Sequence, residues 1–211
     1  TLKEKAFFSG YEALDSISNK KINYDLYNLF ETGEYKKLSA QILVTEEGSV
    51  LDLVKEENPI INNIDLIGIS LIQSDKISQI FASLKGEHFS GKQVLSEVIE
   101  LIELYREEGY SFAEIQSIEF NPEEKRLKIY VDEGMISRID VVGNNKTNRN
   151  VITREFSFDA GDIFQVKEIQ KGLTNLRSTK LFDNIDVLVK EENGQNILTI
   201  SVDEKPSSLL R

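Results

Sequence analysis

The chain contains few residues that could do chemistry. Adjacent carboxylates occur at Glu123-Glu124 and Glu191-Glu192, and paired acids can serve in glycoside hydrolysis or calcium binding. Both pairs adjoin turn residues, Pro122 in one case and Asn193-Gly194 in the other. Carboxylates beside turns are typical of solvated surface, so neither pair is predicted to form a site.

Other catalytic residue types are scarce. His88 is the single histidine, which excludes any site that needs two imidazoles, and its position before a predicted helix favours a surface role. The absence of cysteine excludes disulfides, thiolate zinc sites and cysteine nucleophiles. Neither G-x-S-x-G nor H-E-x-x-H occurs. We therefore predict no catalytic residue, no cofactor, no metal and no enzymatic activity.

One stretch, "ISRIDVVGNNKTNRNVI", resembles a ligand loop. Gly143-Asn144 separates a strand-like run from a helix-like run, which is where phosphate loops lie. A phosphate loop needs several glycines, and neither G-x-G-x-x-G nor G-x-x-x-x-G-K-[ST] is present. A structural turn is the better interpretation, because glycine permits positive φ and asparagine tolerates it.

Composition narrows the function further. The net charge of −11 repels phosphate backbones, so nucleic-acid binding is not expected. Hydrophobic residues make up 40% of the chain, which suffices for packed cores. No apolar run reaches the length of a membrane-spanning helix. The chain begins at Thr1, its single methionine is Met135, and it shows no signal peptide, so we expect it to be part of a longer protein.

An internal repeat organises the elements around that turn. "IDLIG" ends at Gly68 and "IDVVG" ends at Gly143, 75 residues later, and "GEHF" and "GDIF" recur at the same offset. A helical pattern ending in an aromatic residue occurs three times, at Tyr35, Tyr110 and Phe182. A strand pair follows each one. The 75-residue offset makes Gly68 the counterpart of Gly143 in the preceding repeat.

Periodicity gives the order of elements in one repeat. Ile136–Val142 alternates as a strand, and a short helix is predicted from Thr147, whose hydroxyl could cap it. A second helix with 3–4 spacing is predicted over 166–182, followed by a hairpin that turns at Asn193-Gly194. Two antiparallel helices return the chain, so the first strand should lie parallel to the third.

The predicted class is therefore α+β, with tandem β-α-α-β-β modules. Each module should have a mixed three-stranded sheet with two helices on one face. We predict a partial module over 1–59, whose first strand is missing or replaced, complete modules over 60–134 and 135–206, and the start of a link over 207–211. Such sheets have exposed edges, which are templates for another strand.

This pattern resembles the POTRA (polypeptide-transport-associated) domains of BamA-type outer-membrane barrel proteins. The resemblance rests on "I-x-x-I-x-V-V-G-N-x-x-T-x-x-x-V-I", "G-D-x-F", "L-x-x-T-x-L-F-x-x-I-x-V" and "L-x-I-x-V-x-E-K-P" in the last module. The middle module matches in order and length but lacks the asparagine after Gly68. The first module shows only the later elements.

The resemblance implies a location on the periplasmic side of the bacterial outer membrane and a barrel that follows in the same chain. It also implies partners, namely unfolded outer-membrane proteins and accessory assembly subunits, bound by strand addition to the second strand of a module. The corresponding residues include the range 40–44. In the later modules they are Ile115, Gln116, Ser117 and Ile118, and then Ile185, Asp186, Val187, Leu188 and Val189.

Two alternatives keep the same modules. "FFSGYEALD", at 7–15, is similar to the end of a patatin-type lipase domain, in which case the modules would be a spacer between a secreted lipase and its barrel. A two-partner secretion transporter has the same module type. The sequence upstream of Thr1 would separate the first alternative from an assembly factor, since the lipase would supply a G-x-S-x-G motif.

Overall fold

The computed structural model describes residues 19–45 and 48–206. The predicted replacement of the first strand and the patatin-like stretch fall before residue 19, and the link at 207–211 falls after residue 206, so these predictions lie outside the described residues. The helices are α1 (Asn19–Phe30), α2 (Ser74–Ile80), α3 (Gly91–Glu107), α4 (Arg149–Thr153) and α5 (Val166–Ser178). A 3-10 helix at Phe81–Leu84 continues from α2.

Eight strands form three sheets within the described residues. The strands are β1 (Tyr35–Thr45), β2 (Gly48–Glu57), β3 (Asn63–Ile67), β4 (Glu114–Asn121), β5 (Arg126–Asp132), β6 (Ile136–Val142), β7 (Phe182–Glu192) and β8 (Gln195–Glu204). The orders are β1-β2, β3-β5-β4 and β6-β8-β7. In the last sheet β8 lies parallel to β6 and antiparallel to β7. The predicted α+β class with mixed three-stranded sheets is confirmed.

The chain divides into two compact units. The first contains the described residues up to Asp65 together with Ser74–Glu100 and Ile118–Ile129. The second contains Leu66–Gln73, Leu101–Ser117 and the described residues from Tyr130 onward.

In the first unit, α1 packs against the β1-β2 hairpin. Ile22 and Leu29 are buried on one face of α1, and Tyr35 is buried at the start of β1. The two strands pair antiparallel from Tyr35 opposite Glu57 to Thr45 opposite Gly48. Ile22 and Leu29 are seven residues apart, which is two helical turns, so both lie on the face of α1 that packs on the hairpin.

In the second unit, the last module has a continuous core between its sheet and its helices. Leu198, Ile200 and Val202 alternate along β8 and are almost fully buried. Ile152 of α4 and Leu176 of α5 pack into the same cluster. Period-two burial on the central strand and helical residues in one cluster place both helices on the same face of the sheet.

Main-chain hydrogen bonds latch the start of both complete modules to the loop before the longer helix. In the middle module, the N–H of Ile61 donates to the carbonyl of Glu87 at 2.9 Å, and the N–H of Gly86 donates to the carbonyl of Ile61 at 2.8 Å. In the last module, the N–H of Ile136 donates to the carbonyl of Asp162 at 2.8 Å, and the N–H of Gly161 donates to Ile136 at 2.8 Å. We call these bonds the module latch.

Two local predictions need correction. The cap of α4 is Asn148, not Thr147: the Asn148 side chain accepts from the N–H of Asn150 at 2.9 Å. Thr147 lies one residue before the cap, and both its N–H, at 2.6 Å, and its side chain bond Glu204 instead of the helix. α5 ends at Ser178 rather than continuing to Phe182, since a turn with Lys180 at φ 60° intervenes before β7.

Candidate functional site

The predicted partner-binding residues of the last module lie on a sheet edge. β7 has β8 on one side and no strand on the other within the described residues. Ile185, Val187 and Val189 are half-buried and pack against the module core. Asp186 and Leu188 point away from that core and are exposed. β7 therefore offers an open backbone edge with one face packed on the core and one face exposed to solvent.

The predicted residues of the middle module also lie on an edge strand. Ile115, Gln116, Ser117 and Ile118 belong to β4, which is the outer strand in the order β3-β5-β4. Ile118 is 40% exposed, and the amide of Gln116 donates to Asp132 at 3.3 Å across the sheet. In the first module, residues 40–44 lie in β1, whose described partner is β2 alone.

The opposite edge of the last sheet is partly occupied by a side chain. The guanidinium of Arg149 donates to the carbonyl of Ile139 in β6 at 2.7 Å. This bond uses an acceptor that an added strand would need. Within the described residues, no side chain bonds the backbone of 185–190 in this way.

The predicted turn glycines sit at matching corners. Gly68 has φ 90° after β3 and Gly143 has φ 85° after β6. A Cβ on Gly68 would lie 2.1 Å from the carbonyl oxygen of Val131, and one on Gly143 would lie 2.0 Å from that of Val202. Both conformation and space thus require glycine, because the corner passes directly over the backbone of the neighbouring strand.

Asn144 stabilises the corner of the last module. Its side-chain amide donates to the carbonyl of Thr147 at 3.0 Å, and the N–H of Asn145 donates to the carbonyl of Gly143 at 3.1 Å. The corner binds itself and leaves no cradle of N–H groups for a phosphate. The geometry therefore does not support Gly143-Asn144 as a ligand loop.

A carboxylate closes the corner of the middle module, and we call this contact the Glu133 clamp. Glu133 is 6% exposed. It accepts from the N–H of Ser70 at 2.7 Å, the hydroxyl of Ser70 at 2.5 Å, the N–H of Leu71 at 2.9 Å and the hydroxyl of Tyr105 at 2.8 Å. Burial by itself would raise the pKa of Glu133, but these donors outweigh it and hold that pKa below the ordinary value. Burial, followed by the bond to Glu133, raises the pKa of Tyr105.

Glu204 closes the corner of the last module, and we call this contact the Glu204 clamp. It accepts from the N–H of Lys146 at 2.9 Å and the N–H of Thr147 at 2.6 Å. Hydrogen bonding from the Thr147 side chain is the largest cause of a lowered Glu204 pKa; burial acts against it, and the two backbone bonds add to it. Glu204 is more exposed than Glu133.

The sequence marks the carboxylate of both clamps by a shared triplet, although it does not mark the donors that the carboxylate binds. Val131-Asp132-Glu133 and Val202-Asp203-Glu204 end the last strand of the two complete modules. The first module ends the same way in Val54-Lys55-Glu56, but Glu56 pairs with Lys36 at 3.3 Å on the surface. That lysine contact lowers the pKa of Glu56.

The described residues contain no arrangement typical of catalysis. The Nδ1–H of His88 donates to the carbonyl of Asn58 at 2.5 Å, so this nitrogen is bound to the backbone. No group of three or more potential metal ligands lies together in 19–45 and 48–206. No helix in that part of the chain has the length and apolar character needed to cross a membrane.

Comparisons with known proteins assign the modules. A curated relative, the outer membrane protein assembly factor BamA of Nitratidesulfovibrio vulgaris, is 32% identical over 123 residues, which are 52% of this chain and 15% of that protein. BamA of Neorickettsia risticii is 25% identical over 133 residues, covering 60% of this chain and 18% of that protein. The chain thus spans less than a fifth of the length of these relatives.

Solved structures show the same fold. The N-terminal domain of Omp85 from Thermosynechococcus elongatus superposes with a TM-score of 0.78 at 19% identity, covering 93% of this chain and 90% of that one. POTRA1-3 of Omp85 from Anabaena gives 0.69 at 17%, covering 98% and 91%. CdiB from Escherichia coli gives 0.59 at 13%, covering 92% of this chain and 37% of that one.

POTRA domains of BamA- and Omp85-type proteins are non-enzymatic scaffolds for assembly or transport, so the chain belongs to a class without catalytic chemistry. The family model for POTRA, described as "surface antigen variable number repeat", matches residues 59–134 and 135–205. Because these two matches cover well over half of the 211 residues, the chain belongs to the POTRA family.

Proposed function

We propose that this chain is the periplasmic POTRA region of an outer-membrane barrel protein. In this role it binds unfolded outer-membrane proteins or accessory assembly subunits by adding their strand to a sheet edge. The relatives named as outer membrane protein assembly factors support the setting. The barrel would follow the last module in the same chain, and the modules would lie on the periplasmic side of the membrane.

The observation that carries the proposal is the difference between the two edges of the last sheet. Arg149 occupies a backbone acceptor of β6, whereas the backbone of β7 from Ile185 to Lys190 meets no side-chain cap within the described residues. An open edge binds an extended chain through main-chain hydrogen bonds with little demand on sequence. β7 is therefore the favoured edge, and β4 with Ile115–Ile118 is the second candidate.

The side chains of β7 suit a client with alternating polarity. Ile185, Val187 and Val189 lie on the helix-covered side of the sheet and Asp186 and Leu188 on the open side. A strand added beside β7 would place every second side chain next to an apolar residue and the others in water. Strands of outer-membrane barrels alternate apolar and polar residues in this way, so an unfolded barrel strand matches both faces.

A matched pair of photo-crosslinking sites tests the proposal. Leu188 on β7 is 52% exposed and Val142 on β6 is 46% exposed, so the two positions differ in edge but hardly in accessibility. A benzophenone amino acid at each would be presented with a synthetic peptide of about ten residues that alternates apolar and polar side chains. We expect crosslinks from position 188 and few from position 142. Equal crosslinking at both positions, or crosslinking mainly at 142, contradicts strand addition at β7.

A backbone substitution gives an independent readout. Val187→Pro removes a backbone N–H from the middle of the edge strand. If the variant retains its circular dichroism spectrum, we expect peptide binding measured by fluorescence anisotropy to be lost. A folded Val187→Pro variant that binds the peptide as tightly as the parent excludes β7 as the site.

A two-partner secretion transporter is the second candidate, favoured by the fold similarity to CdiB from Escherichia coli. The same β7 edge would then serve one secreted client instead of many. Binding of peptides from several unrelated barrel strands with similar affinity supports an assembly role, whereas selection of a single sequence supports the transporter.

A further inference from the structure

The solvent-facing side of α1 carries an unusual row of residues. Lys20, Tyr24, Tyr27 and Glu31 follow spacings of four, three and four, which place them in one line along the helix. Tyr24 is 65% exposed and Tyr27 is 60% exposed. We call these four residues the α1 seam. The seam lies away from the face of α1 that is buried against its hairpin.

The equivalent helix of the last module shows that a POTRA module does not need such a surface. The exposed positions of α5 are polar, and they include Lys167, Gln170, Lys171 and Thr174. Large aromatic side chains on a solvent face lower the solubility of a protein and bury little area within its own fold. Their presence on α1 therefore points to a second surface that covers them.

The charges at the two ends of the seam indicate which surface fits. Lys20 lies in the first turn of α1 and Glu31 follows its last residue, and α1 has no acidic residue in its first turn and no basic residue in its last. This is the reverse of what the helix dipole favours. An antiparallel helix with the same charge order would place a carboxylate beside Lys20 and so offset the unfavourable first turn. It would also bring a second ammonium to Glu31, whose carboxylate already accepts from Lys92 at 2.7 Å.

A second copy of α1 has the charge order that the seam requires. When α1 is paired antiparallel with another α1 about an axis between Tyr24 and Tyr27, Lys20 of each copy meets Glu31 of the other, and Tyr24 of each copy meets Tyr27 of the other. Such a contact is isologous and closes as a two-fold dimer. We propose that two copies of this chain associate through the α1 seam in this antiparallel register.

Neighbouring residues widen the surface. Lys92, at the start of α3, forms an ion pair with Glu31 at 2.7 Å, so the beginning of α3 lies beside the end of the seam. Phe30, Leu95 and Ile99 are 47%, 54% and 50% exposed and add apolar area on both helices. The dimer surface does not include β4 or β7, and the inference stands independently of strand addition.

Charge reversal tests both association and register. The 211-residue chain would be compared with Lys20→Glu and with Glu31→Lys by sedimentation velocity over a wide concentration range. We expect the parent to dimerise and each variant to weaken its own dimer by about tenfold or more, because two like-charge contacts replace two opposite ones. Mixing the two variants should restore the dimer, because each reversed residue then meets an opposite charge.

Two controls separate the seam from general effects. Lys171→Glu reverses an exposed charge on α5 and should leave the dimer unchanged. Glu31→Lys also disturbs the pair with Lys92, and Glu31→Lys combined with Lys92→Glu restores that internal pair while keeping the seam reversed. The double variant should still fail to dimerise alone and should still associate with Lys20→Glu.

Three results would overturn the proposal. The parent chain could remain monomeric at every concentration, which would mean that another partner covers the tyrosines. Either single variant could dimerise as tightly as the parent. The mixture could fail to associate although the parent does, which would exclude the antiparallel register.

Discussion

The middle and last modules close the same corner with the same triplet, but the two corners differ in how deeply the closing carboxylate is held. Glu133 is almost fully buried and takes four hydrogen bonds. Glu204 is partly exposed, and its donors are two backbone N–H groups and the Thr147 side chain. The geometry that both share is the glycine at the corner, with its close approach to a neighbouring carbonyl.

The difference follows from the length of one helix. α3 runs for 17 residues and brings Tyr105 over the corner, whereas α5 has 13 residues and has already ended at Ser178. The position 75 residues after Tyr105 is Lys180, which lies in the turn beyond α5. One additional turn of helix thus gives Glu133 a donor, Tyr105, that the partly exposed Glu204 lacks. The glycine is fixed by backbone geometry, and the depth of the clamp is set by what packs over it.

The largest effect is expected at the corner glycine that both modules share. Gly143→Val should destabilise the last module by about 4 kcal/mol, because a β-branched residue there combines positive φ with a collision against a backbone carbonyl. Gly68→Val should affect the middle module to a similar degree. Urea unfolding monitored by circular dichroism measures both.

Gly161→Val is the matched control for the corner glycines. Gly161 has φ 101°, but a Cβ there meets nothing within 4 Å. It should therefore cost only the conformational part, about 1–2 kcal/mol. If Gly143→Val costs no more than Gly161→Val, the close approach to Val202 has no energetic importance.

The next test separates the two clamps. Glu133→Gln keeps one oxygen for the three donors that bond Oε1, but it removes the charge and places an amide nitrogen against the Ser70 hydroxyl. Hydrogen bonds to a charged group are stronger than those to a neutral one, so we expect a loss of about 2 kcal/mol in the free energy of unfolding. Glu204→Gln should cost clearly less, since water can reach its donors. Equal losses in the two variants, measured by urea unfolding, would show that burial does not distinguish the clamps.

The smallest expected effect is on the pH dependence of stability. The pKa of Glu133 is lowered in the folded protein, so the unfolded chain binds more protons as the pH falls from the ordinary carboxyl range, about 4.5, toward the folded pKa. The stabilisation by Glu133 is present above that range and is lost as the pH falls through it. The difference in stability between the parent and Glu133→Gln should therefore shrink as the solution is acidified. A difference that stays constant between neutral and acidic pH contradicts a charged clamp.

Much of the fold could be predicted from the sequence, because its strands, helices and turns follow from patterns among residues close together in the chain. Ile136–Val142 alternates and forms β6 with the predicted bounds, and Asn193-Gly194 supplies the hairpin turn between β7 and β8. The 75-residue offset predicts Gly68 as the counterpart of Gly143, and the two glycines share the same close approach to a backbone carbonyl.

The clamps could not be predicted in the same way. Glu133 and Ser70 are 63 residues apart, and no local pattern links the end of one strand to the loop after another. The prediction of Thr147 as the cap of α4 was wrong for the same reason, because the bond between Thr147 and Glu204 joins residues 57 apart. The edge strands could be predicted only in part. The order of elements placed β4 and β7 on an edge, but the bond that occupies a β6 acceptor depends on the position of the Arg149 side chain.

The module latch has a consequence for how such chains can change. Its donors and acceptors are peptide groups, so Ile61 and Ile136 are held alike whether the loop opposite contributes Glu87 or Asp162. Mutation can therefore replace most side chains around it without loosening the frame. The Omp85 domain of Thermosynechococcus elongatus keeps the fold, with a TM-score of 0.78 at 19% identity. In a module built this way, the frame that fixes the path of the chain is separate from the side chains that can meet a partner.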